Sequence, residues 1–157
     1  MSSPYEELLD GQVVFRRAPG ARHETICSRL IALLDACVAN MTATRLLPRR
    51  SEVKLPNGSI VCPDIALVDA ATGALWLAVE IISSDDHHTD TVVKKQIYED
   101  VRVPRLWIVD PRYDNLEVYH SNEYGLALKG IMAGSDVLTD TALPGFQLTI
   151  RELFAAT

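Results

Sequence analysis

Leu75-Trp-Leu-Ala-Val-Glu80-Ile-Ile82 reads as a strand in which one carboxylate interrupts an apolar run. Side chains alternate across a strand, so one face carries Trp76, Ala78, Glu80 and Ile82 and the other Leu75, Leu77, Val79 and Ile81. An ionised Glu in such a setting costs several kcal/mol unless a partner repays it. Upstream, Pro63-Asp64 opens the second half of Ile60-Val-Cys-Pro-Asp-Ile-Ala-Leu-Val-Asp69, where Asp64 shares its face with Ala66 and Val68. Pairing the two strands with those faces aligned brings both carboxylates together beside the small Ala66 and Ala78. A divalent cation would repay their burial.

Working outward, Ser51–Leu55 and Ile60–Asp69 read as strands joined through Pro56-Asn57-Gly58-Ser59, since Asn-Gly supplies the positive φ of a hairpin turn. Gln12–Phe15 is a short strand after Asp10-Gly11. Between Gly20 and Val38, the residues Ile26, Leu30, Leu33, Leu34 and Cys37 recur at the spacing of an amphipathic helix. A second helix runs from about Thr89 to Val101, with Val93, Ile97 and Val101 inward. Arg105–Val109 is a strand buried on both faces, and 115–120 with 124–131 form a hairpin at the sheet edge. Leu143–Ile150 forms a last strand, followed by a helical tail at Arg151–Phe154. The fold class is α/β (α+β), a mixed β-sheet flanked by helices.

The 157 residues, 48% of them hydrophobic, suit one domain spanning 1–157. The apolar runs are too short to span a bilayer, and the first residues lack the basic and apolar stretches of a signal peptide, so a cytoplasmic protein with no membrane partner is expected. Cys27, Cys37 and Cys62 are expected to be buried free thiols. A net charge of −6 is unfavourable for a nucleic-acid partner. It is unevenly spread: residues 1–54 carry eight Lys/Arg against six Asp/Glu, and the remainder seven against fifteen. Gly-rich phosphate loops, Gly-x-Ser-x-Gly elbows and Cys-x-x-Cys pairs are absent from the sequence.

Asp64 and Glu80, with a main-chain carbonyl and waters, would suit Mg²⁺ or Mn²⁺, which take hard oxygen ligands. Phosphodiester hydrolysis also needs a positive charge for the phosphoryl oxygens. Lys94 can supply it, because Asp90, Lys94 and Tyr98 lie on one helical face, whereas Lys95 points away to solvent. Each residue also has a plainer reading: Asp64 as a strand start, Glu80 as a core carboxylate paired with an arginine, Lys94 as a solvated helix residue. Tyr98 is expected to pack over the site and hold Lys94. Asp85-Asp-His-His-Thr-Asp90 has poor spacing for zinc and reads as a polar loop whose acids favour the next helix N-terminus. His23 falls near the start of the first helix, in a structural, capping or substrate-contacting role. His120 is expected to be exposed on an edge strand, and Trp76 and Trp107 to lie in the core.

The run from Pro63-Asp64 through Val79-Glu-Ile-Ile-Ser83, Asp90, Lys94-Lys-Gln-Ile-Tyr98, Val103-Pro-Arg-Leu-Trp-Ile-Val-Asp-Pro111 and Val118-Tyr119 to Leu143-Pro-Gly-Phe146 and Glu152-Leu-Phe154 resembles the Uma-type putative restriction endonucleases. Tyr5-Glu-Glu-Leu-Leu-Asp-Gly-Gln12 and His23 are similar to that family's opening. The resemblance implies the PD-(D/E)XK nuclease superfamily, with a restriction-endonuclease-like four-stranded mixed core sheet. It implies Asp64 and Glu80 as metal ligands, the Ile81 carbonyl near the ion, and Glu7 in the metal's outer shell. The superfamily's lysine would fall at Ile82; Lys94 is similar to the relocated lysine of the Uma-type branch. Ser84 stands where the family commonly has proline.

Two functions follow from these residues: a Mg²⁺- or Mn²⁺-dependent endonuclease acting on DNA, or a non-catalytic nuclease-fold protein that binds a protein or nucleic acid partner. Cutting two strands calls for two sites, so a homodimer is the expected assembly, with 115–131 as its contact.

Overall fold

A computed structural model describes residues 2–83 and 86–156. Its centre is a six-stranded sheet: β3 (Thr44–Leu46), β6 (Ile65–Asp69), β7 (Leu75–Ile81), β8 (Arg105–Asp110), β9 (Asn115–Asn122) and β10 (Gly125–Ala133), with β10 and β3 at the edges. Only β7 and β8 among these pairs run parallel, so the sheet is mixed. A second sheet of four strands has the order β2 (Gln12–Arg16), β1 (Tyr5–Leu9), β5 (Ile60–Val61), β4 (Val53–Lys54). β11 (Val137–Leu138) pairs β12 (Leu148–Thr149). No described helix is long and apolar enough to cross a membrane.

The large sheet separates two cores. On one side Leu67, Leu77, Val79, Trp107 and Val109 pack with α1 (Ala21–Val38) and α3 (Ile150–Phe154). On the other, Ala66, Ala78, Ile82, Leu106 and Ile108 pack with the small sheet and α2 (Lys94–Asp100). β8 supplies both cores with alternate side chains, which explains its continuous apolar run. The buried stripe of α1 is Ile26, Cys27, Leu30, Leu34 and Val38; Leu33 is exposed and Cys37 half-buried, so of the three free cysteines only Cys27 and Cys62 are buried.

Three departures from the sequence reading shape the site. First, 60–69 is not one strand. Pro63 has no N–H to give a ladder, and the chain leaves the small sheet after Val61 and joins the large one at Ile65. Secondly, Trp76 is an extra residue between the pairs Leu67↔Leu77 and Val68↔Leu75. This bulge flips the alternation, so Leu75 joins the core of Ala78 while the half-buried Trp76 packs on the opposite core, under Arg105. Thirdly, the segment after β7 begins as a π-helical turn, Thr89–Val93, and becomes α-helical at Lys94. The inward residues are Asp90, Lys94, Ile97 and Tyr98; Val93 and Val101 are only half-buried.

Other differences are local. Strands β1 and β3 were not expected from the sequence, being short and mixed in polarity. The turn after Leu55 has positive φ at Gly58 alone, with the Gly58 N–H donating to the Leu55 carbonyl, a type I turn closed by a glycine bulge. Of 143–150 only Leu148–Thr149 is paired, because 143–146 form a turn, with Gly145 at φ 80° and the Phe146 N–H donating to the Leu143 carbonyl at 3.1 Å; the Phe146 ring packs on Trp107, centroids 5.5 Å apart.

Candidate active site

Glu80 sits on the sheet face covered by α2, and the helix aims two donors at it. Lys94 Nζ lies 2.5 Å from Oε2, and the Tyr98 hydroxyl donates to the same oxygen at 2.6 Å. Residues 94 and 98 are one turn apart, so both reach the strand beneath. The lysine also pairs with Glu7 at 2.7 Å, bridging β7 to the first hairpin. Glu7 takes a second cation, Arg16, at 2.6 Å, and the main-chain N–H of Cys62 at 2.7 Å. Arg16 continues to Asp90 at 2.9 Å and Asp86 at 3.2 Å. Lys94 is fully buried, and Glu7, Glu80 and Asp90 nearly so.

Asp64 directly precedes Ile65, which pairs with Val79, so its position lies opposite Glu80 in the register. Its Oδ2 accepts the Ile81 N–H at 2.8 Å, and Oδ1 accepts Arg50 at 3.0 Å. His23, from the first turn of α1, places Nε2 3.0 Å from the Ile81 carbonyl and 3.5 Å from Asp64 Oδ2. Arg50 is held on its other side by Glu24, both of whose oxygens lie 2.7 Å from Nη2. Two ion-paired groups thus meet on β7, one built on Glu80 and one on Asp64.

The buried group around Glu80 holds three carboxylates, Glu7, Glu80 and Asp90, against the two cations Arg16 and Lys94. Burial pushes Glu80 up to about 8, against the attraction of Lys94. Burial likewise raises Asp90 to about 6, and one of its oxygens has no hydrogen-bond partner among the described residues. Lys94 moves well above its ordinary value because Glu80 outweighs the cost of its burial. Asp64 is lowered despite burial, chiefly by its contact with His23. His23 is raised, its bond to Asp64 outweighing burial.

These directions give a stability prediction. A carboxyl with a raised folded-state pKa binds its proton more tightly when folded, so its stabilisation is complete below its ordinary 4.5 and is lost as pH rises through about 8. Asp90 and His23 act in the same sense, whereas the lowered Asp64 contributes fully above its ordinary 3.8. Urea melts of the metal-free protein at a series of pH values are expected to show stability falling from mildly acid pH to about 8. A rise over that interval would refute the assignment.

The donor chemistry suits a hard divalent cation: two carboxylates, Asp64 just before β6 and Glu80 on β7, with the Ile81 carbonyl near Asp64. Among the described residues no three His, Cys, Asp or Glu side chains converge in a way that could hold an ion. Both carboxylates are instead engaged by the protein's own cations, Arg50 and Lys94.

Several expectations change in detail. Tyr98 holds Glu80 rather than Lys94. Lys95 is half-buried over the Tyr119 ring, at 4.9 Å, and not simply solvated. Glu80 is a core carboxylate paired with a lysine, not an arginine. His87 and His88 are exposed, Asp86 turns to Arg16, and Ser84 and Asp85 lie outside the described residues. His120 is half-buried, 3.9 Å from Asp140. The sequence reading missed Arg16, Glu24 and Arg50. Arg16 had a signal: it alternates with Val14 on the strand, on the face that Glu7 of the partner strand shares.

A family model, Uma2, described as "Putative restriction endonuclease", matches residues 3–151. No curated protein sequence matches. Among solved structures, a putative nuclease belonging to DUF820 from Anabaena variabilis superposes with a TM-score of 0.80 at 16% identity, covering 96% of this chain and 90% of that one. At that identity the likeness is one of fold.

Proposed function

Because the chain belongs to the Uma2 family of putative restriction endonucleases, we propose that it is a Mg²⁺- or Mn²⁺-dependent endonuclease that hydrolyses phosphodiester bonds of DNA. The observation that carries this reading is the Asp64 carboxylate held on the Ile81 N–H at 2.8 Å, next to Glu80 on β7, with Lys94 buried against Glu80 at 2.5 Å. Asp64, Glu80 and the Ile81 carbonyl would hold the cation. When bound, a hard divalent ion supplies charge stabilisation at the phosphate and activation of water.

The remaining work falls to the chain's own residues. Lys94 keeps a fixed positive charge behind Glu80, so that Glu80 can lose its proton to become a ligand; ligand carboxylates must be deprotonated, which makes metal affinity rise with pH. Tyr98 fixes the Glu80 rotamer by donating to Oε2. His23 orients the Ile81 carbonyl from the side of α1. Glu7, expected in the outer shell, reaches Glu80 only through Lys94. Asp90 balances the charge of Arg16. A homodimer would give two sites for two strands, and the edge strand β10 carries exposed Leu128 and Ile131.

A second reading, a nuclease-fold protein that binds a partner without cutting it, has one observation in its favour: both ligand carboxylates are already neutralised internally. The discriminating experiment is incubation of duplex, single-stranded and branched DNA with the protein in Mg²⁺, Mn²⁺ or EDTA. Metal-dependent cleavage is expected. A folded protein that cuts none of these substrates in either metal leaves the binding reading.

A further inference from the structure

Arg50 stands in the left-handed backbone region, with φ 55°. Residues other than glycine stay there only where the surroundings fix them. Its N–H donates to the Pro63 carbonyl at 3.1 Å, which fastens the turn to the residue beside Asp64. The guanidinium spans two carboxylates, 3.0 Å from Asp64 Oδ1 and 2.7 Å from both oxygens of Glu24. Glu24 in addition takes Arg49 at 3.1 Å and the Ser2 hydroxyl at 2.5 Å. Arg49, Arg50 and Glu24 line a cavity of about 580 Å³ with Gly20 and Ala21 at the start of α1.

Two physical facts bear on this arrangement. A guanidinium that bridges carboxylates has the planar fork that also matches a phosphate. A guanidinium and a metal ion on one carboxylate repel each other, so occupation of Asp64 by one disfavours the other. Resting on the nuclease reading above, we propose that Arg50 is a phosphodiester-binding residue held in reserve by Asp64 and Glu24, and released to a nucleic-acid phosphate in the adjoining cavity when Asp64 takes a divalent ion. The cavity puts that phosphate on the α1 side of the site, where Arg50 is the lining residue that also reaches Asp64. Glu24 sets how readily the arginine changes partner, because it competes with the phosphate for the same fork.

The test uses the full chain, Arg50→Gln and Glu24→Gln, with Mn²⁺ titrated calorimetrically and a short fluorescent duplex titrated by anisotropy in Ca²⁺. Arg50→Gln is expected to bind Mn²⁺ about tenfold more tightly, for loss of the competing charge, and the duplex about tenfold more weakly. Glu24→Gln is expected to bind the duplex several-fold more tightly. Arg50→Gln with unchanged or weakened Mn²⁺ binding, or with duplex binding that is not weakened, overturns the proposal, since an arginine that only balances Asp64 has no phosphate contact to lose. If Arg50→Gln does not fold, Glu24→Gln decides, and duplex binding that is unchanged or weaker overturns it. A wild type that cuts DNA while both variants bind as it does removes this role and leaves the nuclease reading intact. A wild type and variants that bind neither Mn²⁺ nor duplex remove both.

Discussion

Glu80→Ala is expected to lower metal-dependent DNA cleavage by at least about a thousandfold, the scale on which a charge-stabilising group at a reacting phosphate acts. The same change is expected to abolish Mn²⁺ binding in a calorimetric titration while the chain still folds. The reason it still folds is charge arithmetic. Glu80 is the third carboxylate of a buried group with two cations, and its removal leaves Glu7 and Asp90 against Lys94 and Arg16. The cost falls on Tyr98, whose hydroxyl loses its acceptor, roughly 1–3 kcal/mol. Cleavage that survives the substitution would dispose of Glu80 as a ligand. If the protein is a binding module instead, partner binding is expected to be unaffected.

Lys94→Ala reverses that arithmetic. With the lysine gone, Glu7, Glu80 and Asp90 remain buried with Arg16 alone, and breaking a buried pair from one side costs about 3–5 kcal/mol. Urea unfolding near neutral pH is expected to show a loss of that order, together with loss of cleavage. Acidification is expected to restore part of the stability, since Asp90, whose carboxyl is raised to about 6, takes up a proton below neutrality and leaves fewer buried negative charges on Arg16. Adding Glu80→Ala is expected to restore part of it too, and the double-mutant cycle reads the coupling between the two residues directly. A loss under about 1 kcal/mol would mean that the pair behaves like a surface ion pair, which contradicts the burial of Lys94.

How far the site could be read from the chain depended on whether each residue sat in a periodic element. Glu80 and its strand neighbours were legible because an acid in an apolar alternation is conspicuous, and Lys94 with Tyr98 and Asp90 because helix spacing stacks positions four apart. Arg50 and Glu24 had no such signature. One occupies a turn with an unusual φ and the other a half-buried position on the first turn of a helix, and what joins them to Asp64 is tertiary proximity. The sheet order was legible only in outline. Pro63 looked like a feature inside a strand, whereas it transfers the chain between sheets and so creates a second layer that alternation alone does not announce. The bulge at Trp76 was hidden for a related reason, because an extra residue shifts the face without altering the hydrophobic content.

Lys94 is in contact with both layers at once, Glu7 of the first hairpin and Glu80 of the central strand. On the ribosome the hairpin emerges well before the helix that carries the lysine, and so its buried acid waits for a counter-charge that has not yet been made. The charge balance around Glu80 is therefore completed only when the helix following β7 has docked against both layers. A chain that has made Glu80 but not yet Lys94 holds an acid without the ammonium that pairs with it, so the two layers are expected to close over one another only once that helix is in place.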